Sequence, residues 1–313
     1  MRICRTLAAV KRQRGSVGCV ATVGAYDGVH RGHQAILDEV KAHSKHLGLP
    51  SAVFSFEPMP KEYLRPNDPP ARLSRFREKF KLLDGLGVDE IFCPRFDESM
   101  RQLDPETFIR QLLVDGLNVK HLVVGDDFKF AAQRAGTIED LRHAGKQHGF
   151  DVSIVPPVFA NDERISSTAV RRALADGDLD AARTMLGRDY MMSGRVVHGH
   201  QLGRALGFPT ANIPVKRRKT ATMGIFAVRV HGLAEGTLEG VANLGTRPTV
   251  GGGGEALLEV FIFDFDRDIY GAYLDVDMIA RLRDELKFPD LDSMIVQMHK
   301  DVARAKGVLA ESH

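Results

Sequence analysis

A short apolar run, residues 18–23, passes into Gly24-Ala25-Tyr26-Asp27-Gly28-Val29-His30-Arg31-Gly32-His33 and then into residues 33–47, where Ile36, Leu37 and Val40 recur at helical spacing before Gly48. This order predicts a buried strand, a glycine-rich turn and an amphipathic helix. Free backbone N–H groups and the positive end of the helix dipole meet at the turn, which suits it to an anion such as phosphate. His30 and His33 add two imidazoles, able to donate hydrogen bonds to a phosphoryl group as its charge moves. A polar turn without chemistry has the same outline, but the His-x-Gly-His pairing is a more specific pattern than glycine alone.

The alternation continues downstream. Residues 51–56 read as a second buried strand, and the prolines at 58, 60, 66, 69 and 70 predict a long irregular loop after it. Ser74 is placed to cap a helix over 75–86, with Phe76, Phe80, Leu83 and Leu86 on one side. Residues 90–94 read as a strand, Asp104-Pro105 as the start of a helix to about residue 117, and 121–124 as the next strand. Gly125-Asp126-Asp127-Phe128-Lys129-Phe130 leaves that strand, followed by a helix over 137–147 and a strand over 151–155. Strands and helices in turn predict a Rossmann-like α/β domain, a parallel sheet covered on both faces. Ligands of such sheets sit beyond the carboxyl ends of the strands, where the His-Gly-His turn and the 125–130 loop both fall. Arg164-Ile165-Ser166-Ser167-Thr168-Ala169-Val170-Arg171 opens another helix. Its hydroxyls serve as plain caps or, with the two arginines around exposed N–H groups, as a second anion site suited to a triphosphate.

Asp178 caps a helix to about residue 186, and the pattern changes near Gly187. Residues 194–197, 227–230, 240–243, 257–265 and 272–278 are β-rich and parted by glycine turns, which predicts a small antiparallel barrel. A closing helix over 291–309 carries Met294, Ile295, Met298, Val302 and Ala305 in its apolar stripe. The 313 residues accommodate two domains, expected as 1–187 and 188–313.

In the second half, Gly203-Arg204-Ala205-Leu206-Gly207-Phe208-Pro209-Thr210-Ala211-Asn212 is the densest stretch. It is not a Walker A sequence, which occurs nowhere here, so an ordinary P-loop kinase is not expected. Thr210 and Asn212, two apart on an extended segment, face the same way; their oxygens either coordinate magnesium with nucleotide phosphates or brace a turn. Glu259 interrupts the apolar run 257–263, either as a structural ion pair or with the raised pKa that a general base needs. Lys216-Arg217-Arg218-Lys219 reads as a solvated charge run and Gly251 to Gly254 as a mobile turn, unless either closes over phosphates.

With 43 basic and 41 acidic residues no strongly basic face is expected, so nucleic acid is not the default partner. Cys4, Cys19 and Cys93 form no CxxC pair, which argues against a disulfide framework and a structural zinc site and fits a reducing cytoplasm. No apolar run approaches the roughly 20 residues of a membrane helix. The apolar stretch 7–10 is too short for a signal-peptide core. A soluble cytoplasmic protein without a membrane partner is expected.

Taken in order, these segments closely resemble the bacterial bifunctional riboflavin kinase/FMN adenylyltransferases, also called FAD synthetases, whose first half carries the HxGH motif of nucleotidyltransferases. That family typically reads Gly-Asn-Phe-Asp-Gly-Val-His-x-Gly-His, matched here from Asp27 to His33. Phe56-Glu57-Pro58-x-Pro60, Gly125-x-Asp127-Phe128-x-Phe130 and Ile165-Ser166-Ser167-Thr168-x-x-Arg171 also match. In the second half the matches are Gly203-Arg204-x-Leu206-Gly207-Phe208-Pro209-Thr210-Ala211-Asn212, Gly245-x-Arg247-Pro248-Thr249, Glu259 with Asp264-Phe265-Asp266, Tyr270-Gly271, and Arg283-x-Glu285-x-Lys287-Phe288. Ala25 and Tyr26 depart from the usual Asn and Phe, Ala131 from a common Gly, and Phe261 from a frequent His.

The resemblance implies two ATP-dependent reactions, riboflavin to FMN in the barrel domain and FMN to FAD in the parallel-sheet domain. It implies Glu259 as base and Thr210 with Asn212 as ligands of Mg2+. His30, His33, Arg164, Ser167 and Arg171 would align and stabilise the adenylyl transfer. Gly24, Asp27, Gly28, Asp127, Phe128, Ser166 and Thr168 would bind substrate in the first half. Gly203, Arg204, Gly207, Phe208, Pro209, Arg283 and Glu285 would do so in the second. A chain with one degenerate half, or a flavin-binding sensor without turnover, is the rival reading. The presence of Glu259, Thr210, Asn212, His30 and His33 together argues against both.

Overall fold

The structure, a computed structural model, describes residues 1–199, 203, 206–247 and 255–311. Two compact units divide the chain, Met1–Pro70 with Phe76–Ser166 and Ala71–Arg75 with Ser167–His313.

In the first unit, strands β1 (Arg2–Cys4), β2 (Cys19–Val23), β3 (Ser51–Phe54), β4 (Glu90–Phe92), β5 (Val119–Gly125) and β6 (Asp151–Val155) form one sheet in the order β1-β4-β3-β2-β5-β6. Every neighbouring pair is parallel, as the alternation predicts. Both faces are covered, and β3 shows how: Ala52 and Phe54 enter a core with Phe92, Phe108 and Leu122, whereas Val53 enters one with Leu37, Leu83 and Ile91. The helices are α1 (Leu7–Arg14), α2 (Arg31–Leu47), α3 (Pro60–Leu64), α4 (Phe76–Gly85), α5 (Glu98–Arg101), α6 (Pro105–Phe108) and α7 (Ile138–His148). A two-stranded ribbon of β7 (Phe159–Ala160) and β8 (Glu163–Arg164) completes the unit. From β2 the sheet grows one way through β3 and the other way through β5, which makes the carboxyl end of β2 the switch point at which sheets of this kind bind ligands.

Three expectations for this half are corrected. The proline-rich segment after residue 57 is not all loop, because Pro60 occupies the first position of α3, where its missing N–H costs nothing. The helix begun at Pro105 ends at Val114 rather than near 117, its last six residues, Ile109–Val114, wound as a π-helix. Helix α2 starts at Arg31, two residues early, and stops as expected at Gly48, whose φ of 64° suits a residue without a Cβ.

Ala131 stands at φ 63° and ψ −168°, backbone space that glycine alone enters freely. The strain there, about 1–3 kcal/mol, outweighs the roughly 0.4–1 kcal/mol that glycine loses through a freer unfolded chain. Ala131→Gly is therefore expected to stabilise the protein by about 1 kcal/mol. A urea unfolding midpoint that moves down rather than up contradicts this.

In the second unit, α8 (Ser167–Asp176) and α9 (Leu179–Leu186) precede strands β9 (Tyr190–Arg195), β10 (Ala211–Pro214), β11 (Gly224–Leu233), β12 (Gly236–Arg247), β13 (Glu255–Ile262) and β14 (Tyr273–Arg283). The order is β10-β13-β12-β11-β14-β9, antiparallel throughout. Val197 pairs with Asn212, donating its N–H to the Asn212 carbonyl at 2.9 Å, and so joins the two edges into a barrel. Alternate residues, among them Ile213, Phe226, Val228, Leu244, Leu258 and Val276, are fully buried inside. The outward residues Ile225, Ala227, Phe263 and Ile279 are covered by Ala305 and Leu309 of the closing helix α10 (Leu291–Glu311).

The units divide at Ser166 and Ser167, ahead of the change in sequence pattern near Gly187, since α8 packs on α9 and α9 on β9 and β14. The strap Ala71–Arg75 is held by Arg217, whose Nη2 donates to the Leu73 carbonyl at 3.2 Å. Arg217 is thus buried, a correction to the solvated run; Lys216, Arg218 and Lys219 are exposed as expected.

Candidate active sites

In the first unit, Gly24 donates its N–H to the Phe54 carbonyl at 3.0 Å, extending the β2–β3 pairing into the turn. The chain then reverses through Tyr26 (φ 51°), Gly28 (φ 81°) and Val29 (φ 44°). Positive φ at a bulky and a β-branched residue stores strain of the kind that gathers at ligand sites. Tyr26 is buried, its hydroxyl 2.7 Å from Thr22 Oγ1, and burial pushes its phenol well above the ordinary value, so it stays protonated. Its ring lies 4.7 Å from that of His33, and the His33 and His30 rings stack at 3.7 Å and 16°.

His30 caps α2: its Nδ1 accepts the backbone N–H of His33 at 3.3 Å. In the neutral ring this hydrogen bond assigns the proton to Nε2, which makes Nε2–H the donor. Asp27 and Gly28 are buried in the same turn, and Gln34 Nε2 ties its far end by donating to the Val29 carbonyl at 2.9 Å. The glycine between the histidines has a steric reason. A Cβ on Gly32 would come within 3.2 Å of the His30 ring and 3.5 Å of the Ile165 carbonyl. Its absence lets the segment leading into Ser166 pass beside the turn.

The loop after β5 is turned by the Phe128 N–H donating to the Gly125 carbonyl at 3.2 Å, and the Phe128 and Phe130 rings stack at 5.7 Å. Arg164 Nη2 reaches Asp126 Oδ1 at 2.8 Å and Asp127 Oδ1 at 3.0 Å. All three side chains are well exposed, so these pairs are weak and a phosphate can compete for the guanidinium. Ser167, Thr168 and Arg171 belong to the second unit, at the start of α8. There Arg171 donates to the Ser167 carbonyl from Nη1 at 3.1 Å and to the Ala71 carbonyl from Nε at 2.6 Å.

In the second unit a cleft of about 530 Å³ is lined by Pro209, Thr210, Asn212, Asp266, Asp268 and Tyr270 among others. The Gly203 carbonyl accepts from Leu206 N–H at 3.1 Å and Phe208 N–H at 2.8 Å, and Gly207 turns the chain at φ 83°. Phe208 is buried edge-on against Phe261 at 5.3 Å and His299 at 5.0 Å, so Phe261 fills its site as an apolar ring. Arg204, Pro248, Thr249 and Gly251 to Gly254 lie outside the described residues.

Asn212 is buried, and its Nδ2 donates to the Thr210 carbonyl at 3.2 Å. On neighbouring strands of the barrel Asn212 pairs with Glu259 and Glu259 with Asn243. Cross-strand partners share a face, so a half-buried carboxylate stands between two amides on the outer wall. The same row reaches Ile225 and then Arg283, whose guanidinium is gripped by Asp301 of α10, with Nε to Oδ1 at 2.9 Å and Nη2 to Oδ2 at 2.6 Å. Glu285 sits over Gly245, in the space a Cβ there would need.

Among the described residues no cluster of three His, Cys, Asp or Glu side chains could hold a metal. Thr210 and Asn212 instead present a hydroxyl and an amide, hard neutral donors that fit an ion keeping water and phosphate oxygens as its other ligands.

The sequence reading passed over Asn243, Asp301 and the cleft residue Asp268, and Tyr270 entered it only as a motif match without a role. Asn243 did carry a signal, a lone amide in the apolar run 240–244 like the lone carboxylate at 259. Asp301 carried none, because its role depends on which strand residue α10 lies over.

A sequence profile for FAD synthetase matches residues 12–169 and one for riboflavin kinase matches residues 186–309. Curated proteins named bifunctional riboflavin kinase/FMN adenylyltransferase are 46% identical in Escherichia coli (strain K12), over 92% of both chains, and 45% identical in Pseudomonas fluorescens, over 94% of both. A crystal structure named as a macrolide-efflux protein from Streptococcus pneumoniae is 31% identical, covers 96% of each chain and superposes with a TM-score of 0.80. Among the described residues of the present chain no helix is long and apolar enough to cross a membrane.

Proposed function

The chain belongs to the bacterial bifunctional riboflavin kinase/FMN adenylyltransferase family, and from that premise we propose how its residues divide the two reactions. The enzyme phosphorylates riboflavin to FMN and adenylylates FMN to FAD, both with ATP. Both profiles matching in one chain disfavours a single activity or a non-catalytic sensor. We assign adenylyl transfer to residues 1–187 and phosphorylation to 188–313.

For phosphorylation, the observation that carries the assignment is the register Asn212–Glu259–Asn243 beside Thr210. Glu259 accepts the proton of the ribityl 5′-hydroxyl as that oxygen bonds to the γ-phosphorus of ATP and ADP departs. Asn212 and Asn243 hold the carboxylate in line from either side. Thr210 and Asn212 would hold Mg2+, which would offset charge developing on the phosphates. The turn from Gly203 to Pro209 cradles the nucleotide, with Arg204 as a further ligand, and Arg283 and Glu285 border the acceptor. Arg283 works as a fixed cation, because Asp301 grips it.

For adenylyl transfer, an oxygen of the FMN phosphate bonds to the α-phosphorus of ATP as the bond to pyrophosphate breaks. This nucleophile is already anionic and needs no base, only alignment and charge stabilisation. His30 Nε2–H and His33 donate to the α-phosphate, and the backbone of Gly24, Asp27 and Gly28 cradles it. Arg164 leaves its aspartates for phosphate, while Asp127 and Phe128 border the substrate. Ser166, Ser167, Thr168 and Arg171 keep the triphosphate assignment that their motif carries. The three cysteines are buried and none is in a disulfide, which fits a reducing compartment, and we place the enzyme in the cytoplasm.

Asn212→Ala is expected to raise the magnesium concentration for half-maximal riboflavin phosphorylation about tenfold or more, with the magnesium curve for adenylylation unchanged. Equal displacement of both curves contradicts the metal assignment.

A further inference from the structure

We propose that Lys79 is a positioning residue for adenylyl transfer: buried beneath the nucleotide turn, its ammonium locks the Ala25–Tyr26 peptide in the orientation that binds an anion. The inference rests on placing adenylyl transfer at this turn.

Lys79 is only 1% exposed, on α4. Its Nζ donates to the Ala25 carbonyl at 2.5 Å and to Ser55 Oγ at 3.2 Å, and Ser55 Oγ donates to the same carbonyl at 3.2 Å. Lysine is almost never buried so deeply without a specific partner, because taking an ammonium out of water is costly. Position 79 lies in an apolar stripe, three residues after Phe76 and four before Leu83, where a leucine or methionine would pack without that cost.

Its effect on the turn follows from peptide geometry. In a planar trans peptide the carbonyl and the following N–H point in opposite directions. With the Ala25 oxygen drawn inward onto Lys79 and Ser55, the Tyr26 N–H is directed outward. A flip of this peptide changes ψ of Ala25 and φ of Tyr26 together, and the present φ of 51° at Tyr26 is strained. The strain pulls toward the flip, which would present a carbonyl oxygen where an anion needs an N–H. A hydrogen bond from a charged donor is among the stronger ones available to oppose it.

The test uses the full chain with Lys79→Met, Lys79→Gln and Ser55→Ala, measuring both activities and circular dichroism. Lys79→Met is expected to raise the KM for ATP in FAD formation about thirtyfold, more than it lowers kcat, with riboflavin phosphorylation within about twofold of wild type. Lys79→Gln, which keeps an N–H donor, is expected to recover most of that loss, and Ser55→Ala to raise the KM about threefold. Equal effects of the Met and Gln variants, or an unchanged KM in Lys79→Met, overturn the proposal. If Lys79→Met does not fold, Ser55→Ala decides, and an unchanged KM there overturns it. His33→Ala separates the two levels of reading. Intact FAD formation in that variant means the site is misplaced; lost FAD formation there with a normal KM in Lys79→Met means that only Lys79 is misread.

Discussion

Glu259→Gln is expected to lower kcat for riboflavin phosphorylation by about a thousandfold while FAD still forms at the wild-type rate from supplied FMN. Glutamine keeps the shape of the side chain, at a position whose register partners on the neighbouring strands are Asn212 and Asn243. What it cannot do is accept a proton. The loss, about 4 kcal/mol of transition-state stabilisation, should therefore appear in kcat rather than in the KM for riboflavin. Chromatographic separation of riboflavin, FMN and FAD reads both steps in one sample. A variant that loses both products equally, or neither, contradicts the role of Glu259.

His33→Ala is expected to do the converse, lowering FAD formation by about a hundredfold or more while FMN accumulates from riboflavin. The fold should survive. The cap of α2 uses the backbone N–H of His33 and the ring of His30, neither of which the substitution removes, and alanine is the best helix former. What disappears is the ring that stacks on His30 and lies tilted against Tyr26, and with it one donor for the α-phosphate. Wild-type rates of both reactions would remove His33 from the chemistry.

Much of this architecture was legible in the residues. The run 151–155 is a strand with those bounds, Asp178 caps a helix that ends at Leu186, and the parallel and antiparallel halves follow from where alternation gives way to glycine-parted strands. Other elements escaped for identifiable reasons. Strand β1 is three residues long and mostly exposed, too short for any period to register, whereas β10 showed only as the extended segment that carries Thr210 and Asn212. Pro60 reads as a breaker yet starts a helix.

At the sites, the motif residues were visible and their partners were not. Arg164 looked like a free anion ligand, and only the structure sets Asp126 and Asp127 against it. Asp301 grips Arg283 from a helix 18 residues further on, and Lys79 reaches Ala25 across 54 residues. Contacts that depend on how distant elements pack leave no local pattern in a sequence.

The central claim is that one chain carries two chemically separable sites, and mixing the two variants tests it most directly. With riboflavin, ATP and magnesium, Glu259→Gln alone should leave riboflavin largely unconverted and His33→Ala alone should stop at FMN. The mixture should make FAD, with FMN released by one variant and consumed by the other. A mixture that makes no more FAD than either variant alone would contradict it.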